Sequence, residues 1–197
     1  MAVGITDIVS NKEFYNLVGD IGGTNARFAI VPVGSSELIS IQTLHCEKFE
    51  TVQQALQFYL SSIKDIQISS ACIASAGTVH LDVFKPANND WVINKSDVSS
   101  ALNNIQVSWI NDFNAQALAT TTLTGNDIVN IKDGIEKPDR LRLVIGPGTG
   151  LGVCGLIRSS GEWVAVPTQG GHSDLASNTS LEIEVFTLLQ KKFDHVA

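Results

Sequence analysis

Two apolar segments broken by glycine turns dominate the patterning of this chain. Near residues 15–21 an apolar run leads into Gly22-Gly23-Thr24-Asn25. It is followed by Ala26-Arg27-Phe28-Ala29-Ile30-Val31, whose aromatic and β-branched content predicts a strand turning straight back, over about 26–33. A third strand is expected at 37–46, then a helix from Thr51, whose hydroxyl can cap it, through about Lys64. A buried strand follows at 68–75, a small hairpin insertion at 78–93, and a short helix at 97–103 capped by Ser96. Strand 105–111 runs into Asn111-Asp112-Phe113 and a helix through about Thr122, ended by Gly125. After a polar connection over 125–139, hairpins begin near Arg140, with Ser159-Ser160-Gly161 as a turn. Ser180 is expected to cap a last amphipathic helix over 181–193.

The first glycine turn carries an acid just before it, Asp20, and hydroxyl and amide groups just after. Glycines let backbone N–H groups approach anionic oxygens closely, so Gly22, Gly23, Thr24 and Asn25 read as a phosphate cradle. Asp20 is placed to hold a magnesium ion through water. An ordinary hairpin in which Asp20 caps a turn is the competing reading. Neither a P-loop nor a dinucleotide glycine pattern occurs, because the residues after the turn are strand-like and no helix opens there.

A second turn repeats the outline downstream. Leu143-Val144-Ile145 leads into Gly146-Pro147-Gly148-Thr149-Gly150, and Leu151-Gly152-Val153-Cys154-Gly155-Leu156-Ile157 leads away. Two strand–turn–strand units with Gly-Thr at the turn suggest an internal duplication, with Gly148, Thr149 and Gly150 as the second set of phosphate contacts. A plain glycine-rich bend is the alternative.

Composition narrows the class without selecting it. With 44% hydrophobic and 17% charged residues, the 197-residue chain can bury a substantial core and is not a disordered tract. A net charge of −7 without Lys/Arg runs argues against nucleic acid or anionic membrane as partners. Phosphate binding then rests on backbone amides and magnesium. Cys46, Cys72 and Cys154 lie in apolar runs without metal-ligand spacing, so all three are expected to be buried free thiols. The first residues lack a signal-peptide pattern and no apolar run approaches a membrane span, so a cytoplasmic location is expected.

Four motifs in order, VGDIGGTNARFAIV, WINDFNAQALA, VIGPGTGLGVCGLI and VPTQGGH, resemble the bacterial glucokinase family of the actin-like sugar kinases. The resemblance implies an α/β fold of two ribonuclease-H-like lobes, with residues 1–111 as the small first lobe and 112–197 as the start of a larger, incomplete second. It implies ATP-dependent phosphorylation of the glucose 6-hydroxyl, with ATP and Mg2+ as cofactors and a homodimer at full length. By the same likeness Asp112 is the catalytic base, at a strand–helix junction where aligned peptide dipoles suit a carboxylate. A helix-capping role for Asp112 competes with that reading.

Asn88, Asn111, Asp112, Gln169 and His172 match the family's sugar-binding positions. Two departures stand out. Gln169 replaces a glutamate, exchanging a carboxylate acceptor for a neutral amide. The chain also resembles an N-terminal fragment, without a further sugar-binding glutamate or the adenine-binding segment, and is expected to be inactive alone. A kinase for another hexose and a non-catalytic sugar-binding fragment stay open.

Overall fold

Side-chain alternation builds the first sheet. The computed structural model describes residues 13–135, 137, 139–147, 150–174 and 176–193. In chain order it begins with β1 (Glu13–Ile21), β2 (Asn25–Pro32), β3 (Ile39–His45), α1 (Val52–Ser61) and β4 (Ile66–Ser75). Then come β5 (Val83–Phe84), β6 (Ile93–Asn94), α2 (Lys95–Ala101) and β7 (Gln106–Asn111). Tyr15, Leu17 and Ile21 of β1 turn inward beside Ala26, Phe28 and Ile30 of β2 and Ala71 and Ile73 of β4. The strand order is β3-β2-β1-β4-β7, with β1, β4 and β7 mutually parallel and β2 antiparallel to both of its neighbours, β1 and β3.

Two helices contribute to the core on that apolar face. Val52, Ala55, Leu56 and Tyr59 recur at helical spacing along α1, and Val98 and Leu102 join them from α2 and its end. The Tyr59 ring lies 5.5 Å from that of Phe28, and its hydroxyl donates to the Ser40 carbonyl at 3.1 Å. Burial pushes the Tyr59 phenol up to about 12.

Local polar groups account for the differences from the expected boundaries. Thr51 caps α1 as expected, its hydroxyl accepting from the Gln54 N–H, but the helix ends at Ser61. There the hydroxyls of Ser61 and Ser62 donate back to the Phe58 and Tyr59 carbonyls. Asn94, not Ser96, caps α2 and accepts from the Ser96 amide at 3.0 Å. Cys72 is exposed and not buried, because it occupies the outward position between Ala71 and Ile73 on β4. Cys46 and Cys154 are buried and free.

The chain divides into two compact units, one ending at Asp112 and one starting at Phe113. The remaining elements are α3 (Asp112–Ala119), β8 (Arg142–Pro147), β9 (Leu151–Ser159), β10 (Glu162–Pro167) and α4 (Ser180–Gln190). The helix α3 stops three residues short of Thr122, because Thr120, Thr121 and Thr122 turn their hydroxyls onto the carbonyls of Ala117, Leu118 and Ala119. Thr179, not Ser180, caps α4 in a reciprocal box with Glu182. The three strands of this unit lie in the order β10-β9-β8, the same antiparallel meander as β3-β2-β1 in the first unit.

Glycine serves packing in this second sheet. Gly146 and Gly152 face each other across β8 and β9, and the Phe113 ring lies against both. A Cβ on Gly146 would fall 2.6 Å from the ring, and one on Gly152 would overlap it. Phe113 in turn packs on the small core of Ala117, Cys154 and Leu156. Trp163 extends this face, with the guanidinium carbons of Arg142 and Arg158 at 4.4 and 5.0 Å from its ring centroid.

Gly152→Ala should therefore lower the stability of the second unit by about 1–3 kcal/mol, the usual cost of overpacking. A lower urea midpoint for its unfolding would register this. An unchanged midpoint would mean that Phe113 has room to move. Among the described residues no helix is long and apolar enough to cross a membrane.

Candidate functional site

Parallel pairing brings the candidate residues of the first unit to one edge. Ile21 at the end of β1 is in register with Ser75 at the end of β4, which is in register with Asn111 at the end of β7. Neighbouring strands lie about 4.8 Å apart, so Ile21 and Asn111 stand about 10 Å from one another. The glycine turn Gly22–Asn25, the segment after Ser75 and Asp112 all leave the sheet at this edge. Open α/β sheets bind ligands there, outside the carboxyl ends of parallel strands. Asn111 is half-buried, and Asp112 is exposed as the first residue of α3.

The glycine turn is tied on several sides. Gly22 donates to the Asn25 carbonyl at 2.9 Å, and the Cys46 amide donates to the Thr24 carbonyl at 2.9 Å. The Gly22 carbonyl accepts from Asn89 Nδ2 at 3.0 Å, with Cys46 Sγ at 3.9 Å. Burial pushes the Cys46 thiol up, and the nearby Asn89 amide partly offsets this. Asn88 adopts a φ of 56°, which brings its backbone against Gly23. A Cβ there would lie 2.8 Å from the Asn88 carbonyl oxygen, so only glycine allows this approach. A cavity of about 430 Å3 opens beside the turn, with Gly23, Cys46, Phe49, Asn88 and Trp91 among its lining.

Asp20 has a partner that sequence reading missed. Arg27 stands directly across the hairpin and donates from Nη1 to Asp20 Oδ2 at 2.9 Å. Both side chains are about half exposed, so the pair is weakly held and its carboxylate stays accessible. Counting outward from the turn would have found this pairing, since Ile21 opposite Ala26 puts Asp20 opposite Arg27. Asn25 Oδ1, buried without a hydrogen-bond partner among the described residues, adds an acceptor at the same turn.

In the second unit, Gln169 and His172 bracket a tight turn on the start of β9. The Gln169 carbonyl accepts from the His172 amide at 2.9 Å, and Thr168 Oγ1 donates to the Val153 carbonyl at 2.8 Å. Gly170 packs on the Val153 side chain and Gly171 against the Leu151 carbonyl. This turn therefore adjoins Leu151, just after the second glycine loop, and among the described residues nothing lies within 4 Å of where a Cβ on Gly150 would stand. Gly148 and Thr149 lie outside the described residues. Thr168 and Phe113 join Arg27 and Asn89 among the residues that position the candidates without being foreseen.

The first unit thus presents a glycine turn beside polar side chains, and in the second the Gln169–His172 turn adjoins Leu151. A family model described as glucokinase matches residues 17–197. A glucokinase of Hahella chejuensis is 42% identical over 187 residues, which is 95% of this chain and 58% of that protein. One from Marinobacter nauticus is 39% identical over 94% of this chain and 58% of its own length. The crystal structure of a glucokinase from an Antarctic psychrotroph superposes with a TM-score of 0.79 at 34% identity, covering 93% of this chain and 58% of that one. A Balamuthia mandrillaris glucokinase solved with glucose shares the fold at 21% identity and a TM-score of 0.65. The chain spans somewhat over half the length of these relatives, and with its family model matched from Leu17 onward it belongs to the glucokinase family.

Proposed function

We propose that this chain supplies the first lobe, residues 1–111, and the start of the second, residues 112–197, of a two-lobed ribonuclease-H-like glucokinase. The observation that carries the proposal is the register row Ile21–Ser75–Asn111, which sets a glycine turn and an exposed aspartate on one sheet edge. Asp112 orients the glucose 6-hydroxyl and takes its proton as the oxygen bonds to the γ-phosphorus of ATP. The bond from that phosphorus to the bridging oxygen breaks, leaving glucose 6-phosphate and ADP. Such transfers pass through a loose transition state, so orientation matters more than early deprotonation. Asn88, Asn111, Gln169 and His172 are assigned to sugar hydroxyls. Backbone amides at Gly22–Asn25 and at Gly148–Gly150 are assigned to phosphate oxygens.

Magnesium fits this reading through Asp20. Among the described residues no group of three or more His, Cys, Asp or Glu could cage a metal. A nucleotide-bound magnesium needs no cage, since it takes one or two carboxylates, water and phosphate oxygens. Asp20, accessible beside the turn, is such a carboxylate, and the ion would neutralise phosphate charge. A cytoplasmic, homodimeric enzyme completes the proposal.

The test joins this chain to the C-terminal remainder of the Hahella chejuensis relative and assays phosphorylation of glucose, mannose and fructose with MgATP. The chain alone, expected to be inactive, serves as control. Glucose should give the highest kcat/KM. Preference for another hexose would favour the second reading, to which the neutral amide of Gln169 gives some support. No turnover with any hexose in a folded chimera would overturn the assignment.

A further inference from the structure

Asn89 is drawn into neither substrate role, yet it is one of two buried polar residues of the described chain, at 7% exposure. Both ends of its amide are used. Nδ2 donates across 67 residues of sequence to the Gly22 carbonyl at 3.0 Å, while Oδ1 accepts from the Trp91 amide at 2.9 Å. Flipping the amide would oppose acceptor to acceptor and donor to donor, so its orientation is settled by its partners. Trp91 is itself buried and anchored, its indole N–H donating to the Phe49 carbonyl at 2.9 Å. The neighbouring Asn88, in its left-handed conformation, closes its backbone onto Gly23. The phosphate turn and the Asn88 segment therefore meet at two adjacent points, one steric and one hydrogen-bonded. A displacement of one must be passed to the other.

We propose that Asn89 is a positioning residue that locks the first glycine turn to the Asn88 segment, so that occupancy at either is transmitted to the other. The proposal rests on the reading of Asn88 as a sugar contact and of Gly22–Asn25 as a phosphate turn. Buried amides bonded at both their nitrogen and their oxygen hold one geometry because any alternative leaves a polar group unpaired. Asn89→Asp isolates the link. It keeps the shape and the acceptor for Trp91 but replaces the donor to Gly22 with a second acceptor.

The experiment follows amide resonances and hydrogen exchange in the 197-residue chain and its Asn89→Asp variant, with glucose and MgATP as separate probes. In the variant, the Gly22 amide, whose own bond runs across the turn to the Asn25 carbonyl, should exchange about tenfold faster as the turn loses the anchor on its Gly22 carbonyl. The Trp91 amide should keep its protection. Glucose should shift the Asn88 and Gly22–Gly23 resonances together in the parent but Asn88 alone in the variant, a readout that general destabilisation does not mimic. Asn89→Ala, which loses both bonds, is the second variant if the aspartate disturbs folding, and it should uncouple the resonances in the same way. Unchanged Gly22 exchange, or joint shifts that persist in both variants, would overturn the lock. If neither probe moves any of these resonances in the parent, the site reading and the proposed transmission both fail; exchange data then report on the bond alone.

Discussion

Asp112→Asn should leave the fold and sugar affinity in place while lowering turnover of the extended enzyme by about two to four orders of magnitude, as for loss of a general base. Asp112 opens α3 and is exposed, and asparagine keeps its size and can still cap a helix. The substitution therefore separates the two roles that compete for this residue. A capping role predicts near-normal kcat, since asparagine caps as well as aspartate. A proton-accepting role predicts collapse of kcat with little change in the glucose dissociation constant. Stopped-time assays with calorimetry on the same samples distinguish them, and turnover within a few-fold of the parent would remove Asp112 from the chemistry.

Asp20→Ala should impair the use of magnesium-nucleotide by more than about tenfold in kcat/KM for ATP, while sugar binding is retained. The carboxylate belongs to the penultimate residue of β1, two residues before the turn, and its pairing with Arg27 is half exposed. An exposed pair of this kind contributes well under about 1 kcal/mol, so stability should hardly move. Arg27→Ala serves as the control. It breaks the same ion pair but keeps the carboxylate, and nucleotide use should survive it. Equal losses in both variants would make the ion pair, not the carboxylate, the functional element. Unchanged ATP kinetics in Asp20→Ala would defeat the magnesium assignment.

Much of the candidate site was legible because its signals are short-range. The hairpin around Gly22–Asn25 follows from apolar residues on either side of a glycine turn, and the structure has β1 and β2 antiparallel there. Asn111-Asp112 sits at a strand–helix junction as expected, with β7 ending and α3 beginning between them. Thr51 caps its helix through a hydroxyl three residues from its partner. Where two polar residues could each cap, the pattern was insufficient: Asn94 prevails over Ser96 at α2 and Thr179 over Ser180 at α4. Such neighbours offer similar oxygens, and the path of the incoming chain chooses between them.

Tertiary contacts decided what sequence order could not express. Cys72 has the same apolar neighbours in sequence as a buried thiol, yet its position on β4 turns it outward. Gly146 and Gly152, which flank the glycines assigned to phosphate, are required by the ring of Phe113, which lies more than thirty residues away in the sequence. Asn89 looks like an ordinary turn residue until the fold brings it to Gly22.

The amino-acid sequence by itself determined the strand and helix periodicities, the two glycine turns and the chemical types at the candidate site, since propensity and turn chemistry act over a few residues. Only the tertiary structure decided which of those residues share an edge. Parallel register between strands joined by long crossovers aligns Ile21, Ser75 and Asn111, and that alignment depends on burying one face of the whole sheet at once.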